Sequence, residues 1–418
     1  MKQSLTPAEA QGIIQDETPV LGPERVALSD ALGRVLAESV AATRDLPPAD
    51  NSAMDGYALR SSDVAGASAE QPTRLRVAFA VPAGSTPTQE VEAGTAARIL
   101  TGAPIPAGAD SVIRQEDTQL EGDDVLVKVA SPPRDNVRDV GEDVRSGEVV
   151  LPAGRRVGPA EVGMLASLGR TVVTVHQRPR VAILSSGDEL VEPDGDVAGG
   201  RIVSSNSYSI AAQCAEIGAE PVYIGIANDT REDIDRHFRA ALRADVIVSS
   251  AGVSVGDRDY VRDVIEKLGC SLIFWGVKMK PGYPLAFGRF SGEAGPLVFG
   301  LPGNPVSAMM TFEQFVRPAL RKMMGFPKWY RPVVRARLGE TLTKKSGRLH
   351  FVRVTLERRG DEITAISTGN QSSGVLRSMT RAQGLLIFPA DASEMSEGSE
   401  ADVQVIDEAF FSSEKPAF

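Results

Sequence analysis

Residues 180–325 constrain the fold of this chain more than any other stretch. Short apolar runs that suit buried strands alternate there with amphipathic segments that suit helices. The apolar runs are residues 181–184, 222–226, 245–248, 273–275, 285–287 and 297–299, and the helical segments lie at about 208–217, 230–242, just before 268, and 305–324. Strands separated by helices of about 10–15 residues form right-handed βαβ units. The pattern therefore predicts a mainly parallel sheet covered by helices.

Two other regions have the short alternating runs and frequent turns of β-rich domains. Residues 45–140 contain strand candidates at 75–79 and 125–129, which are separated by turns rich in proline and glycine. The C-terminal region contains four more strand candidates, at residues 333–338, 351–356, 385–388 and 403–406. The tail beyond Ala390 is rich in acidic residues, so we expect it to be solvated and partly frayed.

The N-terminal region begins with helix signals. Thr6 and Glu9 have the types and spacing of a capping box, with a proline between them, and predict a helix over residues 6–15. A second helix is predicted over 28–38, with Ser29 as its N-cap, because apolar residues recur there at helical spacing.

Composition excludes several classes of protein. The 418 residues carry 45 lysines and arginines against 55 aspartates and glutamates, and a net charge of −10 is unlike that of nucleic-acid-binding domains. No run approaches the ~18 apolar residues of a membrane span, and the N-terminus lacks the apolar segment of a signal peptide, so we expect a cytoplasmic protein. Cys214 and Cys270 are expected to be reduced core residues. The three histidines lie far apart in the sequence, which argues against a histidine-based triad or metal site.

Three unusual loops follow predicted strands of the α/β region, at residues 185–189, 249–259 and 300–307. Ligands of open α/β sheets bind beyond the carboxyl ends of the strands. Glycine and serine let backbone N–H groups approach an anion, and Mg²⁺ would reconcile the carboxylates of these loops with a phosphate. Ordinary turns with helix caps would explain one such loop, but three at one sheet edge favour a ligand site.

Two further segments have ordinary explanations when each is taken alone. Lys278 and Lys280 end a predicted strand, where they could attract an anion or simply be solvated. Residues 46–58 and 100–106 are rigid loops in which aspartate and threonine could satisfy their own turns. The chain has neither a Walker A motif, nor a G-x-G-x-x-G motif, nor a G-x-S-x-G motif, so P-loop, dinucleotide-binding and hydrolase assignments have no support.

Six motifs occur in a fixed order along nearly the whole chain. They are PPADNSAMDGYA (47–58), TGAP (101–104), SGDEL (186–190), GVSVGD (252–257), KPG (280–282) and LPGNPVS (301–307). Together they resemble the MoeA family of molybdopterin molybdenumtransferases, which includes the gephyrin E domain. Each motif alone is weakly specific, and the set is highly specific.

The resemblance implies a multidomain protein of α/β and β domains. An extended N-terminal domain (1–44, continued by 141–176) would carry an inserted β-rich domain (45–140). A molybdopterin-binding domain of three α/β/α layers (177–326) and a C-terminal β-barrel-like domain (327–418) would follow. Members of the family are typically homodimers, with the active cleft between the α/β domain of one subunit and the β-rich domain of the other.

The resemblance also implies a transferase of molybdenum cofactor biosynthesis. In the implied reaction the dithiolene sulfurs of adenylylated molybdopterin bind molybdenum from molybdate, the pyrophosphate bond is cleaved and AMP leaves. A divalent cation, usually Mg²⁺, is required. The implied partners are the two substrates, a second copy of the chain, the molybdopterin adenylyltransferase and the molybdoenzymes that receive the product. Neither nucleic acid nor a membrane is among them.

Matched position by position, the family's catalytic residues fall on Asp55, Thr101, Glu189, Asp259 and Lys280. As hypotheses on these matches, we assign Glu189 and Asp259 to the metal or the pterin, Lys280 to the anion and Asp55 to the wall that the partner subunit contributes. The substrate-binding positions fall on Ser186, Gly187, Asp229, Gly252, Ser254, Gly256, Gly303, Asn304, Ser307, Arg353 and Ser373. Arg353 and Ser373 correspond to positions implicated in holding molybdate.

The chain departs from the family pattern at three positions. Tyr283 stands where many members have the second lysine of Lys-Pro-Gly-Lys-Pro. Gly276 stands where a lysine often occurs, although Lys278 could supply that charge. Ala251 replaces the first glycine of Gly-Gly-Val-Ser. The two lost lysines concern the oxyanion pocket.

Two alternative functions use the same residues. An enzyme that adenylylates molybdopterin, or that hydrolyses a related nucleotide pyrophosphate, would need only the α/β domain. A non-catalytic scaffold resembling gephyrin would need no reactive acids, yet Asp55, Glu189 and Asp259 are all present.

Overall fold

The computed structural model describes residues 2–250, 260–292, 295–413 and 416. The chain separates into two compact units. The first unit comprises Met1–Val26, Gly33–Ala37 and Thr174–Phe418, and the second comprises Ala27–Leu32 and Glu38–Val173. The predicted N-terminal domain (1–44 and 141–176) has residues in both units, and the boundaries of the four predicted domains stay predictions.

The described residues before 177 form two α-helices and many short strands. The helices are α1 (Pro7–Glu17) and α2 (Pro159–Ser167), and the strands are β1 (Lys2–Leu5), β2 (Pro23–Ala27), β3 (Val40–Ala41), β4 (Asn51–Ser52), β5 (Gly56–Leu59), β6 (Thr73–Val81), β7 (Thr95–Ile99), β8 (Ser111–Arg114), β9 (Thr118–Glu121), β10 (Asp124–Val127), β11 (Val137–Arg138), β12 (Val149–Leu151) and β13 (Val172–His176). Six of the strands form a sheet of order β8-β5-β7-β6-β10-β9. The prediction of a β-rich region there is confirmed.

Gly56, which begins β5, is required by the packing of this sheet. A Cβ atom at that position would lie 1.9 Å from the carbonyl oxygen of Ile113, which β8 presents opposite β5. Only glycine permits so close an approach of two backbones. The glycine of the Met-Asp-Gly motif therefore has a structural role, and it fixes the position of Asp55 immediately before the strand.

The first predicted helix is confirmed and the second is wrong. The Thr6 hydroxyl accepts a hydrogen bond from the N–H of Glu9 at 3.3 Å, and the Glu9 carboxylate accepts one from the N–H of Thr6 at 2.8 Å. Within the predicted second helix, only a single 3₁₀ turn forms, at Leu28–Asp30. Gly33 then adopts φ +79°, which a right-handed helix does not allow, and Leu36 continues into an isolated β-bridge.

Residues 180–323 form the predicted alternation of strands and helices. The strands are β14 (Arg180–Ser186), β15 (Leu190–Val191), β16 (Ile202–Val203), β17 (Glu220–Ala227), β18 (Val246–Ser250), β19 (Cys270–Val277), β20 (Met279–Lys280), β21 (Ala286–Phe290) and β22 (Leu297–Leu301), and the helices are α3 (Ser205–Glu216), α4 (Arg231–Ala241), α5 (Tyr260–Lys267), α6 (Pro305–Thr311) and α7 (Arg317–Met323), the last two joined by a π-helical segment (Phe312–Val316). The seven-stranded sheet has the order β1-β19-β21-β22-β18-β14-β17. Four of its six neighbouring pairs are parallel, and β21 is antiparallel to both of its neighbours, so a mainly parallel sheet is confirmed.

Helices cover both faces of this sheet and make the predicted three layers. Ile14 of α1 and Ile210 of α3 are buried in the core on one face, and Phe238 of α4 is buried in the core on the other. Cys214 and Cys270 are buried free thiols, as expected, and burial raises the pKa of each to about 12. In the described ranges no helix is long and apolar enough to cross a membrane.

The C-terminal region closes into a barrel. Its elements are β23 (Val333–Leu338), β24 (Leu342–Thr343), β25 (Leu349–Arg359), β26 (Glu362–Ser367), α8 (Arg377–Arg381), β27 (Gly384–Phe388), β28 (Glu394–Met395) and β29 (Glu400–Val405). The strand order is β20-β25-β26-β23-β29-β27, and β27 also pairs with β25, which closes a ring of five strands. The β-barrel-like fold is confirmed.

Two features of the barrel differ from, or add to, the sequence interpretation. The tail beyond Ala390 is not frayed over 400–405, because Val403 and Val405 of β29 lie in the barrel core. Alternate residues of a strand face one side of a sheet, so this apolar alternation fills the barrel. The short strand β20 joins the barrel edge in parallel to β25, with Lys280 paired to His350.

Candidate active site

The loops predicted to form the site leave the α/β sheet at one edge. Strands β14, β18 and β22 are adjacent and parallel, so their carboxyl ends meet there. The loops after β14 and β22 are described. Four predicted site residues of the loop after β18 lie outside the described residues: Gly252, Ser254, Gly256 and Asp259.

The loop after β14 brings a small residue, a hydroxyl and a carboxylate together. The N–H of Gly187 donates to the carbonyl of Ala227 at 3.1 Å. The Glu189 carboxylate lies against the α-carbon of Gly187, since a Cβ atom there would come within 2.6 Å of Glu189 Oε2. The Ser186 hydroxyl is buried and has no hydrogen-bond partner among the described residues. A buried hydroxyl of this kind is a contact point for a polar ligand.

Acidic side chains are crowded beside this loop. The N–H of Asp229 donates to Asp188 Oδ1 at 2.9 Å. Partial desolvation of its carboxylate, together with the charges of Asp188 and Glu189, raises the pKa of the exposed Asp229 above its ordinary value. A divalent cation would relieve this repulsion. The described residues include no group of three His, Cys, Asp or Glu side chains arranged to hold a metal, but Mg²⁺ commonly uses one or two carboxylates together with substrate phosphates.

Asn206 ties two of the three strand ends together, and the sequence interpretation missed it. Its Nδ2 donates to Ser250 Oγ and to the carbonyl of Gly303, both at 2.7 Å, while its buried Oδ1 has no partner in the described part of the chain. Asn206 lies in the first turn of α3, outside every motif. No sequence signal marked it, because its importance comes from the position of α3 over the strand ends.

The loop after β22 connects the sheet edge to the barrel. The N–H of Val306, in the first turn of α6, donates to the carbonyl of Ser373 at 3.1 Å. Asn304 is the N-cap of α6 and makes no capping bond with its side chain. Ser307 is buried, and its carbonyl accepts the Thr311 hydroxyl at 2.8 Å. Gly303, Asn304, Ser307 and Ser373 therefore lie along one connection between the two folds.

Arg353 is a fully buried cation. Its Nη2 donates to the carbonyls of Asn370 and Ser372 at 3.4 and 3.3 Å, and its Nε and Nη1 have no partner among the described residues. Gln371 holds the backbone of Arg353 on both sides, accepting from its N–H at 2.9 Å and donating to its carbonyl at 3.1 Å. Burial lowers the pKa of Arg353 to about 10, which leaves it charged at neutral pH. A buried guanidinium with two free donors fits an anion.

The surroundings of Lys280 explain one departure from the family pattern. Lys280 is exposed on β20. Nearby Tyr283 donates to or accepts from the Ser4 hydroxyl at 2.7 Å, and its ring packs against Gly276. The guanidinium of Arg348 lies 4.6 Å from the centroid of the Tyr283 ring. A positive charge therefore stands over the tyrosine that replaces a lysine.

Asp55 and Thr101 form a pair in the second unit. Asp55 Oδ1 accepts from the N–H of Thr101 at 2.7 Å and from its hydroxyl at 2.8 Å. These two bonds lower the pKa of Asp55, so it is ionised at neutral pH. The two motifs, distant in sequence, thus meet at two of the predicted catalytic residues.

Three regions of one family match the chain in order. They are the MoeA N-terminal region (domain I and II) at residues 5–169, the probable molybdopterin binding domain at 182–322 and the MoeA C-terminal region (domain IV) at 335–406. A molybdopterin molybdenumtransferase of Nostoc sp. is 39% identical over 386 residues, which cover 90% of this chain and 87% of that protein. This chain belongs to the MoeA family.

Further MoeA proteins are also similar to this chain over nearly its whole length. Molybdopterin molybdenumtransferase 2 of Mycobacterium tuberculosis is 38% identical over 401 residues, 94% of this chain and 98% of that protein. The crystal structure of a molybdopterin biosynthesis MoeA protein from Pyrococcus horikoshii OT3 superposes with a TM-score of 0.81 at 32% identity, covering 96% of this chain and all of that chain. The MoeA architecture expected from the motifs is therefore confirmed.

The MoeA site residues fall into three described groups. The first unit carries one group at the sheet edge and one beside the barrel, and the second unit carries the Asp55–Thr101 pair. The sheet-edge group is Ser186, Gly187, Glu189, Asp229, Gly303, Asn304 and Ser307, and the barrel group is Lys280, Arg353 and Ser373. Four residues that the sequence interpretation did not assign to the site are considered with them: Asp188, Asn206, Lys344 and His350.

Proposed function

We propose that this MoeA chain is a molybdopterin molybdenumtransferase that inserts molybdate into adenylylated molybdopterin and releases AMP. The observation that carries the proposal is that a single chain matches all three MoeA regions, with transferase relatives matched over nearly their whole length. An adenylyltransferase would need only the central region, and a scaffold would not need the arrangement of acids and cations found here.

The sheet edge suits the phosphates of the substrate. The Ser186 hydroxyl and the small residues Gly187 and Gly303 let a phosphate approach the backbone, and Asn206 ties the end of β18 to the loop after β22. We assign Glu189 and Asp259 to Mg²⁺, which when bound neutralises phosphate charge. Asp229, crowded by like charges, would be relieved in the same way.

The barrel side suits the oxyanion. Arg353 offers two donor nitrogens, Nε and Nη1, in a buried setting, where a charged hydrogen bond is stronger than in water. Ser373 lies next to the carbonyls that hold the guanidinium, and the exposed Lys280 adds a positive charge. Molybdate bound there would be held and oriented by Arg353 toward the dithiolene sulfurs.

We assign Asp55 and Thr101 to catalysis as a unit. Both donors of Thr101 are directed at Asp55 Oδ1, so the second carboxylate oxygen stays available to the substrate. We also propose a homodimer, which sedimentation velocity would test. The free buried thiols support a reducing compartment such as the cytoplasm. The molybdopterin adenylyltransferase and recipient molybdoenzymes remain proposed partners.

AMP release tests the proposed function. Purified protein is mixed with adenylylated molybdopterin and Mg²⁺, with and without molybdate, alongside Asp259→Ala and Glu189→Gln. Glu220→Gln is the matched control, because Glu220 is exposed at the opposite end of the sheet. We expect molybdate-dependent AMP release that both site variants lose and the control keeps. Tight substrate binding without AMP release under any oxyanion would instead support a scaffold.

A further inference from the structure

His350 differs from the other two histidines in its hydrogen bonding. Nδ1 of His176 bonds to the carbonyl of Leu21 at 2.9 Å, and Nδ1 of His237 bonds to the carbonyl of Asp233 at 2.8 Å. His350 is only 5% exposed, and neither of its ring nitrogens has a partner among the described residues. Buried polar atoms without partners are costly and rare, so each calls for an explanation.

The charges that face His350 are almost all positive. Lys280 of β20 is its direct cross-strand partner. Nζ of Lys344 donates to the carbonyls of Arg348 and Ala390 at 3.1 and 3.2 Å, and no carboxylate bonds to it within the described residues. Strand β27 places Phe388 opposite His350 and has no titratable residue.

The remaining charged neighbours follow the same trend. On β25 itself, Arg353 adds positive charge. Asp391 is the one acid whose charge acts on Lys344 in the described part of the chain. Burial, with the charges of Lys280, Arg353 and Lys344, lowers the pKa of His350 to about 4. His350 is therefore neutral at pH 7 in the free protein.

His350 and Arg353 serve different faces of β25. The strand pairs with β27 in an unbroken register from His350 to Val354, so side chains three positions apart leave from opposite faces. The free donors of Arg353 and the free nitrogens of His350 thus belong to two separate surroundings. An anion held by Arg353 leaves the space beside Lys280, Lys344 and His350 without its counter-charge.

We propose that Lys280, Lys344 and His350 form a second oxyanion-binding subsite, in which His350 takes up a proton from solvent as the anion binds. The subsite rests on the proposed function, because Lys280 is assigned to the substrate there. Its ligand is a tetrahedral oxyanion, either molybdate or a phosphoryl group of the nucleotide product.

Anion binding and protonation of His350 are thermodynamically linked, and this linkage sets how the anion affinity depends on pH. A bound dianion offsets the lysine and arginine charges that keep His350 neutral, so it favours the imidazolium, and protonation in turn favours the anion. Anion binding should therefore tighten as pH falls, by about tenfold per pH unit between the free and bound pKa values of His350. No other bond is made or broken.

Calorimetry measures this proton directly. Molybdate, inorganic phosphate and AMP are each titrated into the full chain at pH 6 in two buffers of different ionisation enthalpy. We expect the wild type and His237→Gln to take up close to one proton per anion more than His350→Gln does, a difference in which any proton gained or lost by the anion itself cancels. His350→Gln should also bind about tenfold more weakly. The anion whose binding shows this difference identifies the ligand.

Two results would overturn the subsite: a proton uptake that is the same in the wild type and His350→Gln, or no binding of any of the three anions. If His350→Gln does not fold, NMR of histidine-labelled wild type replaces it. Saturating anion must then raise the depressed pKa of the His350 imidazole. AMP release without this difference in proton uptake would remove only this inference, and the difference without AMP release would remove only the proposed function.

Discussion

The sheet edge and strand β25 lie in the same unit and carry opposite charges: carboxylates cluster at the sheet edge, whereas β25 carries a buried guanidinium and a buried imidazole. At the sheet edge, the carboxylates of Asp188, Glu189 and Asp229 are exposed, so like charges can share a small space at modest cost. On β25, Arg353 and His350 are both buried, and Nε and Nη1 of Arg353 and both ring nitrogens of His350 have no partner among the described residues. Burial makes an unpaired cation expensive, and the barrel tolerates it where an anion completes the site. The first region is therefore complementary to a cation and the second to anions.

The largest effect should come from replacing the buried guanidinium. Arg353→Met keeps the volume and removes the charge, so molybdate-dependent AMP release should fall by roughly 10–100-fold. The free energy of unfolding should stay the same or rise, because an unpaired buried charge is lost. Steady-state kinetics and urea unfolding measure the two quantities, with exposed Arg358→Met on the same strand as control. Full activity in Arg353→Met would contradict the assignment of β25 to anion binding.

The sheet edge should respond to Mg²⁺ rather than to molybdate. In Glu189→Gln we expect the Mg²⁺ concentration for half-maximal AMP release to rise about tenfold, since one carboxylate ligand is lost. The KM for molybdate should not change. A magnesium titration at fixed molybdate and a molybdate titration at fixed magnesium measure the two quantities separately, with Glu220→Gln as the control. A changed KM for molybdate in Glu189→Gln would argue against assigning the sheet edge to Mg²⁺ alone.

Stability should depend on pH through His350. The unfolded chain protonates this imidazole near pH 6.5, whereas the folded chain does so only at about 4, so the contribution is complete above pH 6.5 and is lost as pH falls through this window. The full loss is about 3 kcal/mol of unfolding free energy. Urea unfolding at pH 7, 6 and 5 measures this loss. The difference in unfolding free energy between the wild type and His350→Gln should shrink as the pH falls. A difference in unfolding free energy that does not change with pH would mean that His350 has the same pKa in the folded and unfolded chain.

The smallest effect should follow removal of one acid from the sheet edge. Asp188→Asn eliminates one of the like charges that raise the pKa of Asp229, so that pKa should fall while partial desolvation still holds it above the ordinary value. Carboxyl ¹³C NMR measures the shift. Asp361→Asn, in the exposed turn after β25, should leave Asp229 unchanged.

Local patterns were sufficient for much of this fold. The capping box of α1 and the strand–helix alternation over 180–323 depend on neighbours within a few residues, so the sequence predicted them. The helix predicted over 28–38 failed where Gly33 adopts a positive φ, and the tail beyond Ala390 was misjudged because β29 completes a barrel whose other strands are distant in sequence.

The motifs alone determined the family, the order of its regions and most of the acids, small residues and lysine of the site. Only the tertiary structure decided which donors remain free. Asn206 bridges two strand ends, and Arg353 and His350 occupy opposite faces of one strand. Hydrogen-bond satisfaction is a property of partners brought together by sheet order and barrel closure, and no periodicity within the chain encodes it.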